Sequence, residues 1–161
     1  VPEATSAEAA DFAAFRACAE RLWDEPAARQ HLLRWQDDYG VDVMLALFAL
    51  WYPYPLTSRQ WHALAASARH WQATVTARVR TLRRALRTPE RHALYRALLE
   101  LELQAEHLAG RRLLHMARPT VMPATPAKVD QTRRLQTLFP QLPTIEIRAG
   151  LRDGLRTAGP T

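Results

Sequence analysis

Cysteine is all but missing from this sequence. Cys18 stands alone, which excludes a disulfide framework and any zinc site built on paired thiolates. A chain so poor in cysteine suits a reducing compartment, and the expected location is the cytoplasm. Glycine is scarce at 5 residues, and β-branched residues are few. A Gly-rich phosphate loop and an extended sheet therefore both lack material. No apolar run approaches the ~20 residues that a membrane-spanning helix needs. The longest covers 43–52, so no membrane span is expected. Residues 1–10 are neither basic nor apolar enough for a secretory leader. Lysine is as rare as cysteine: Lys128 is the one lysine among 22 Lys and Arg. A GC-rich genome imposes such a skew by itself, and it inflates any argument built on arginine.

What remains is helical material. Hydrophobic residues make up 48% of the 161, enough for a proper core, and Ala, Leu, Arg, Glu and Gln dominate. The first helix is predicted over 6–24, with Phe12, Phe15, Ala19, Leu22 and Trp23 on one stripe. Pro26 suits the first turn of a second helix, whose inner face is Ala28, Leu32, Trp35 and Tyr39. Gly40 is placed to end it as a left-handed cap, and Asp42 to cap the next helix, 43–52. That third helix is apolar all round and belongs in the middle of the core.

A long antiparallel hairpin is the dominant feature. Its first helix, 57–87, starts at Thr57 or Ser58. At 100° per residue, Trp61, Leu64, Ala68, Trp71, Val75, Val79, Leu82 and Leu86 fall within about 80° of one another. Thr88 and Pro89 read as N-cap and first residue of the second helix, 89–116, with Leu94, Leu98, Leu101, Ala105 and Leu108 facing the first. Tyr95, Leu99 and Leu103 widen that stripe. The fold class is thus all-α: a compact bundle of about five helices, with residues 1–117 as the helical domain. Residues 118–161 form a Pro-rich tail, docked or partner-binding. Within it 118–127 is a linker, 128–139 a short helix, and 144–157 a second one with Ile147, Leu151 and Leu155 on one side.

Charge is distributed unevenly along this plan. Residues 1–56 carry more acids than arginines, 57–87 carry arginines and no acid, and 88–117 balance. On the helical wheel Arg59, His62, Arg69, Arg80, Arg84 and Arg87 lie opposite the apolar stripe, with Arg83 at its edge. Arg59, Arg69, Arg80, Arg84 and Arg87 are therefore candidate anion-binding residues. Such a stripe suits phosphates, with affinity falling as salt rises. The competing use is a solvated face, partly neutralised by the acidic N-terminal helices, since the tryptophans fall on the core side and leave nothing for base stacking.

Three further groups invite a chemical reading. Asp37, Asp38 and Asp42 surround the turn after the second helix, where the helix dipole disfavours anions and a Mg²⁺ would offset them. Capping by Asp42 and a pair between Asp38 and Arg34 one turn back explain the same residues. Glu100, Glu102, Glu106 and His107 share one helix, but the di-metal pattern needs Glu three residues before His, and Gln104 stands there. A hairpin pivoting at Thr88 brings Glu106 near His70 and Arg69, and Glu100 near Thr76 and Arg80. Cross-hairpin salt bridges are then their use. Histidines 31, 62, 70, 92, 107 and 115 are scattered, Cys18 has no paired histidine, and no hydrolase elbow or zincin motif occurs. No catalytic set, metal ligand or cofactor is assigned.

The run Trp35, Gln36, Asp37, Asp38, Tyr39, Gly40, Val41, Asp42, Val43, Met44, continuing through Leu45 to Trp51, resembles the hallmark stretch of a proteobacterial family of uncharacterised proteins, domain of unknown function 2390. Trp71, Val75, Val79 and the run from Leu82 to Leu86 are similar too, as is the segment from Leu101 to Glu106. The resemblance covers about 12–116, and the tail is peculiar to this chain. It implies a small cytoplasmic bacterial helical protein with no activity attached. It also directs attention to Gln36, Asp37, Asp42, Trp51, Trp71, Arg83, Arg84, Glu102 and Glu106 as one polar and aromatic constellation. Met44 and Tyr39 stand where the family often has Asn and His, which removes polar groups from the turn.

The leading expectation is a non-enzymatic protein-interaction or regulatory module with a protein partner. A nucleic-acid or ribosome-associated protein acting through the arginine stripe is the second. A helical Mg²⁺-dependent enzyme or apolar-ligand carrier is the third. The sequence leaves a homo-oligomer open.

Overall fold

Chain turns are set by residues doing what their chemistry favours. Gly40 adopts φ 65°, the left-handed region, and its N–H donates to the Gln36 carbonyl, closing α2 (Pro26–Tyr39), which opens on Pro26. One residue pair later the Asp42 carboxylate accepts from the Leu45 N–H at 3.0 Å and opens α3 (Val43–Trp51). Thr57 and Gln60 form a capping box at the start of α4 (Ser58–Trp71). Asp130 caps α7 (Gln131–Leu138) by accepting from the Arg133 N–H.

The computed structural model describes residues 6–88, 91–118 and 129–156. Among these every regular element is helical: α1 (Ser6–Asp24), α2, α3, α4, a π-helical turn (Gln72–Thr76), α5 (Ala77–Ala85), α6 (His92–Ala117), α7, α8 (Thr144–Gly150) and a closing π turn (Leu151–Leu155). This is the all-α bundle on an antiparallel hairpin that the periodicity predicts. Pro89 and most of the expected linker, 119–128, lie outside the described residues. No described helix is long and apolar enough to cross a membrane.

The core gathers around α3, whose residues Leu45 to Leu50 are all buried. α1 brings Phe12, Phe15 and Leu22 to it, while Trp23 of the expected stripe is exposed. Phe15, Phe48, Trp51, Tyr52, Tyr54 and Trp61 form one aromatic cluster, with Phe48 stacked on Tyr52 at 5.0 Å. α6 closes the core with Leu113 and Ala117, and the Tyr52 hydroxyl donates to the Ala117 carbonyl at 2.6 Å. Burial pushes the Tyr52 phenol up to about 12.

Residues 131–156 pack on this core. Leu135, Ile147 and Leu155 are fully buried, and α8 settles on Trp35 because Gly150 has no Cβ: one there would sit 2.7 Å from the indole ring. Arg34 and Glu146 pair at 2.9 Å across this contact, as do His31 and Asp153 at 3.1 Å. Most telling is Arg134. It is buried over the Trp61 ring and donates to the carbonyls of Ala49, Tyr52 and Tyr54 at 2.7 to 3.0 Å. These oxygens belong to the end of α3 and the loop after it, groups that a helix leaves without internal partners.

The second hairpin helix is described from His92, its expected start at Pro89 lying outside the described residues, and the Thr88 carbonyl accepts from the Arg91 N–H. More consequential is the π turn at Gln72–Thr76. It carries one residue more than an α-turn of the same height, so every position beyond it lags by about 100°. Leu82, placed by an unbroken wheel in the core, is 56% exposed, while Thr76, Arg80 and Arg83 turn toward α6.

Candidate functional site: the distal arm of the hairpin

Below the π turn the hairpin is sealed. Trp61, Leu64 and Ala65 of α4 are buried, and the Trp71 indole N–H donates to the Ala105 carbonyl at 3.0 Å, with the Arg112 guanidinium 5.1 Å over its ring. Beyond it α5 packs mainly on α6, and the seam between them is polar.

Glu102 lies at the centre of that seam, buried to 6% exposure. Arg80 Nε donates to its Oε1 at 2.7 Å and Arg83 Nε to its Oε2 at 2.5 Å. Arg83 also donates to the Tyr95 hydroxyl at 3.1 Å, and Arg80 reaches Glu106 at 3.5 Å. Burial alone would raise the Glu102 pKa, but the hydrogen bonds from Arg83 and Arg80 hold it below the ordinary value. Glu106 and Asp42 shift the other way. Burial raises both, against the Arg80 charge and, for Asp42, against the backbone N–H groups it caps.

The sequence-singled residues thus separate. Arg80, Arg83, Glu102 and Glu106 come together, joined by Tyr95, which apolar patterning had placed among the stripe residues, while Asp42 caps α3 and meets the group only through the charge of Arg80. Gln36 and Asp37 stay at the end of α2, Asp37 exposed, and Asp38 pairs with Arg34 at 3.6 Å. Trp51 is half-buried in the aromatic cluster, 5.3 Å from Phe15. Arg59, Arg69, Arg84 and Arg87 are exposed on the outside of the first hairpin helix. The expected neighbours change: Glu106 pairs with Arg80 instead of Arg69, Glu100 accepts from Gln104 within α6, and Glu102 takes both Arg80 and Arg83. The connection from Ala85 to His92 is longer than one residue, and the π turn rotates the arginines inward.

Chemically the cluster is a latch. A carboxylate saturated by two guanidiniums and held at low pKa is a poor proton acceptor, and Arg80 and Arg83 are committed to it. Among the described residues no group of three or more His, Cys, Asp or Glu is placed to hold a metal ion. A cleft of about 330 Å³ beside Thr57, Trp61, Asp130 and Arg133 shares no residue with the cluster.

The latch has a second consequence on the opposite side of the arm. Asp42, at the start of α3, feels the charge of Arg80 and acts in turn on Glu106, and α3 packs on α6, so the Arg80–Glu106 pair marks the side of the hairpin nearer α3. By helical phase Val79, Leu82 and Leu86 of the first hairpin helix and its end, and Leu94 and Leu101 of α6, fall on the other side, with Leu108 continuing the same row beside α4. Among the described residues Leu82, Leu94, Leu101 and Leu108 are left 56%, 52%, 51% and 49% exposed, while Val79 and Leu86 beside them are half-buried. The expectation that Leu94, Leu101 and Leu108 face the first helix is therefore corrected, because Tyr95 and Glu102 occupy the seam; Ala105 of the same expected stripe is buried against Trp71 as expected. Sequence reasoning found these leucines and misplaced them. The consecutive β-branched Thr74, Val75 and Thr76, weak helix formers, were the signal of the irregular turn.

No curated protein and no solved structure matches this chain. The family described as Protein of unknown function (DUF2390) matches residues 15–113, from the middle of α1 to near the end of α6. The chain belongs to that family, and the aromatic core, the Asp42 cap and the Glu102 latch all lie within the matched region.

Proposed function

We propose that this protein is an interaction module whose working surface is the distal arm of the hairpin, and that its partner is a protein. One observation carries the reading: a two-helix arm that presents a row of exposed leucines with no described helix over it. Isolated exposed leucines need no explanation, but a patterned row does. Covering four half-exposed leucines is worth roughly 3–6 kcal/mol, a sizeable share of a specific complex. The latch supports the same use, because buried ion pairs contribute more to a fixed geometry than to stability, and this one holds the two helices in register.

The test is site-specific photo-crosslinking in a bacterial lysate, with the photoreactive group at Leu101 and, as control, at His62 on another face. A discrete protein adduct at Leu101 alone is expected; equal or absent adducts at both positions would refute the reading. A second reading rests on Arg59, Arg69, Arg84 and Arg87, which remain exposed on a helix without acids. It requires salt-sensitive RNA binding, lost in the Arg69→Glu, Arg84→Glu double variant. Arg80 is left out of that variant because its removal would open the latch.

A further inference from the structure

We infer that the occupant of the leucine face is an acidic amphipathic helix of another protein, laid in the groove between α5 and α6. The inference rests on the interaction reading above and names the chemistry of its partner. Shape comes first. Leu94, Leu101 and Leu108 repeat every seven residues and span about 21 Å along α6. Val79, Leu82 and Leu86 form the opposite wall by helical phase. A groove between two helices with anchors at heptad spacing fits a third helix, whose own i, i+3/i+4, i+7 side chains interdigitate with it. An extended peptide would find no free backbone edge to pair with, since every regular described element is helical.

Charge then selects among helices. The arm, 77–101, carries Arg78, Arg80, Arg83, Arg84, Arg87, Arg91 and Arg96 against Glu90 and Glu100. Arg80 and Arg83 are spent on Glu102, which lies just beyond. Of the exposed remainder Arg78 falls by helical phase beside Leu82, Arg87 and Arg91 lie in the connection at the tip, and Arg84 and Arg96 fall on the far side and add only to the net positive charge. Two such arms laid together would repel, which disfavours a second copy of this chain on this face. A helix with leucines on one side and glutamates at its edges meets both the apolar floor and the basic surroundings. Nucleic acid meets the charge alone and leaves the leucines wet.

The experiment uses the full chain and a synthetic helix of about 18 residues with leucines at heptad spacing and glutamates flanking them. The comparison probes are the same peptide with lysines for glutamates and an RNA duplex of similar length, all read by fluorescence anisotropy. Saturable binding of the glutamate peptide is expected, weakened by salt and at least about tenfold weaker for Leu101→Asp. Leu101→Ala, which leaves the surface uncharged, gives a smaller loss of the same sign. Equal binding of the lysine peptide, no binding of either, or indifference to both Leu101 variants would overturn the inference. So would tighter binding of the RNA duplex, or a dimer in sedimentation that Leu101→Asp dissociates. If crosslinking at Leu101 captures a protein whose contacting segment is not an acidic helix, the interaction reading stands and this inference falls.

Discussion

The two halves of one hairpin are built on opposite principles. Near the core, α4 and the end of α6 meet through Trp61, Leu64, Ala65, Leu113 and Ala117, with α1, α3 and α7 packed around them. Past the π turn, α5 and the start of α6 meet through Arg80, Arg83, Tyr95 and Glu102, and their leucines face outward. A single extra residue accounts for the change. The apolar pattern continues unbroken in the sequence, but the helix has turned beneath it. A core-forming stripe becomes a surface simply by being rotated off its neighbour.

The sharpest way to break the contrast is at the sealed end. Arg134→Met leaves the carbonyls of Ala49, Tyr52 and Tyr54 without their donor, and unfolding in urea should come earlier by about 3–5 kcal/mol. The same readout compares two leucines of α6 directly. Leu113→Ala, in the core, is expected to cost about 2–5 kcal/mol, and Leu101→Ala, on the arm, about 0.5. Equal costs would mean that the leucine face is not open in solution.

Deleting Ala73 together with Glu102→Leu should straighten the π turn, restore the unbroken phase and bury Leu82. A gain of about 2 kcal/mol is expected, with loss of the leucine face seen as slowed amide exchange in α5. The deletion alone would leave Glu102 without its arginines and destabilise the fold. The last test is a pH signature. Glu102 has a depressed folded pKa, so its contribution is complete above its ordinary pKa of 4.5 and is lost as pH falls through the folded value. Glu102→Gln should therefore cost about 1–2 kcal/mol at pH 7, and the gap to the native protein should narrow in acid.

Much of the fold was legible because short-range chemistry announces itself. Pro26, Gly40, Asp42 and Thr57 mark ends that a helix must satisfy locally, and α1, α2 and α3 lie within a residue of their expected bounds. The site was less legible because it depends on phase accumulated over many residues. Trp61 and Leu64 precede the irregular turn and fall where the wheel puts them; Arg80, Leu82 and Arg83 follow it and do not. Tyr95 could not be found at all without that rotation, since its role is defined by Arg83 reaching it. Arg134 was invisible for another reason: its partners are carbonyls about 80 residues away, which carry no side-chain signature.

That arginine imposes a timetable on synthesis. The end of α3 leaves the ribosome early, yet its carbonyls find their donor only after α7 has emerged. Until then Trp61 and the aromatic cluster lack their lid, and the nascent chain carries an unfinished core. Folding that proceeds from the N-terminus as domains are made must here stay open-ended, so a nascent chain stalled ahead of Gln131 would be a client for chaperones rather than a smaller version of the protein.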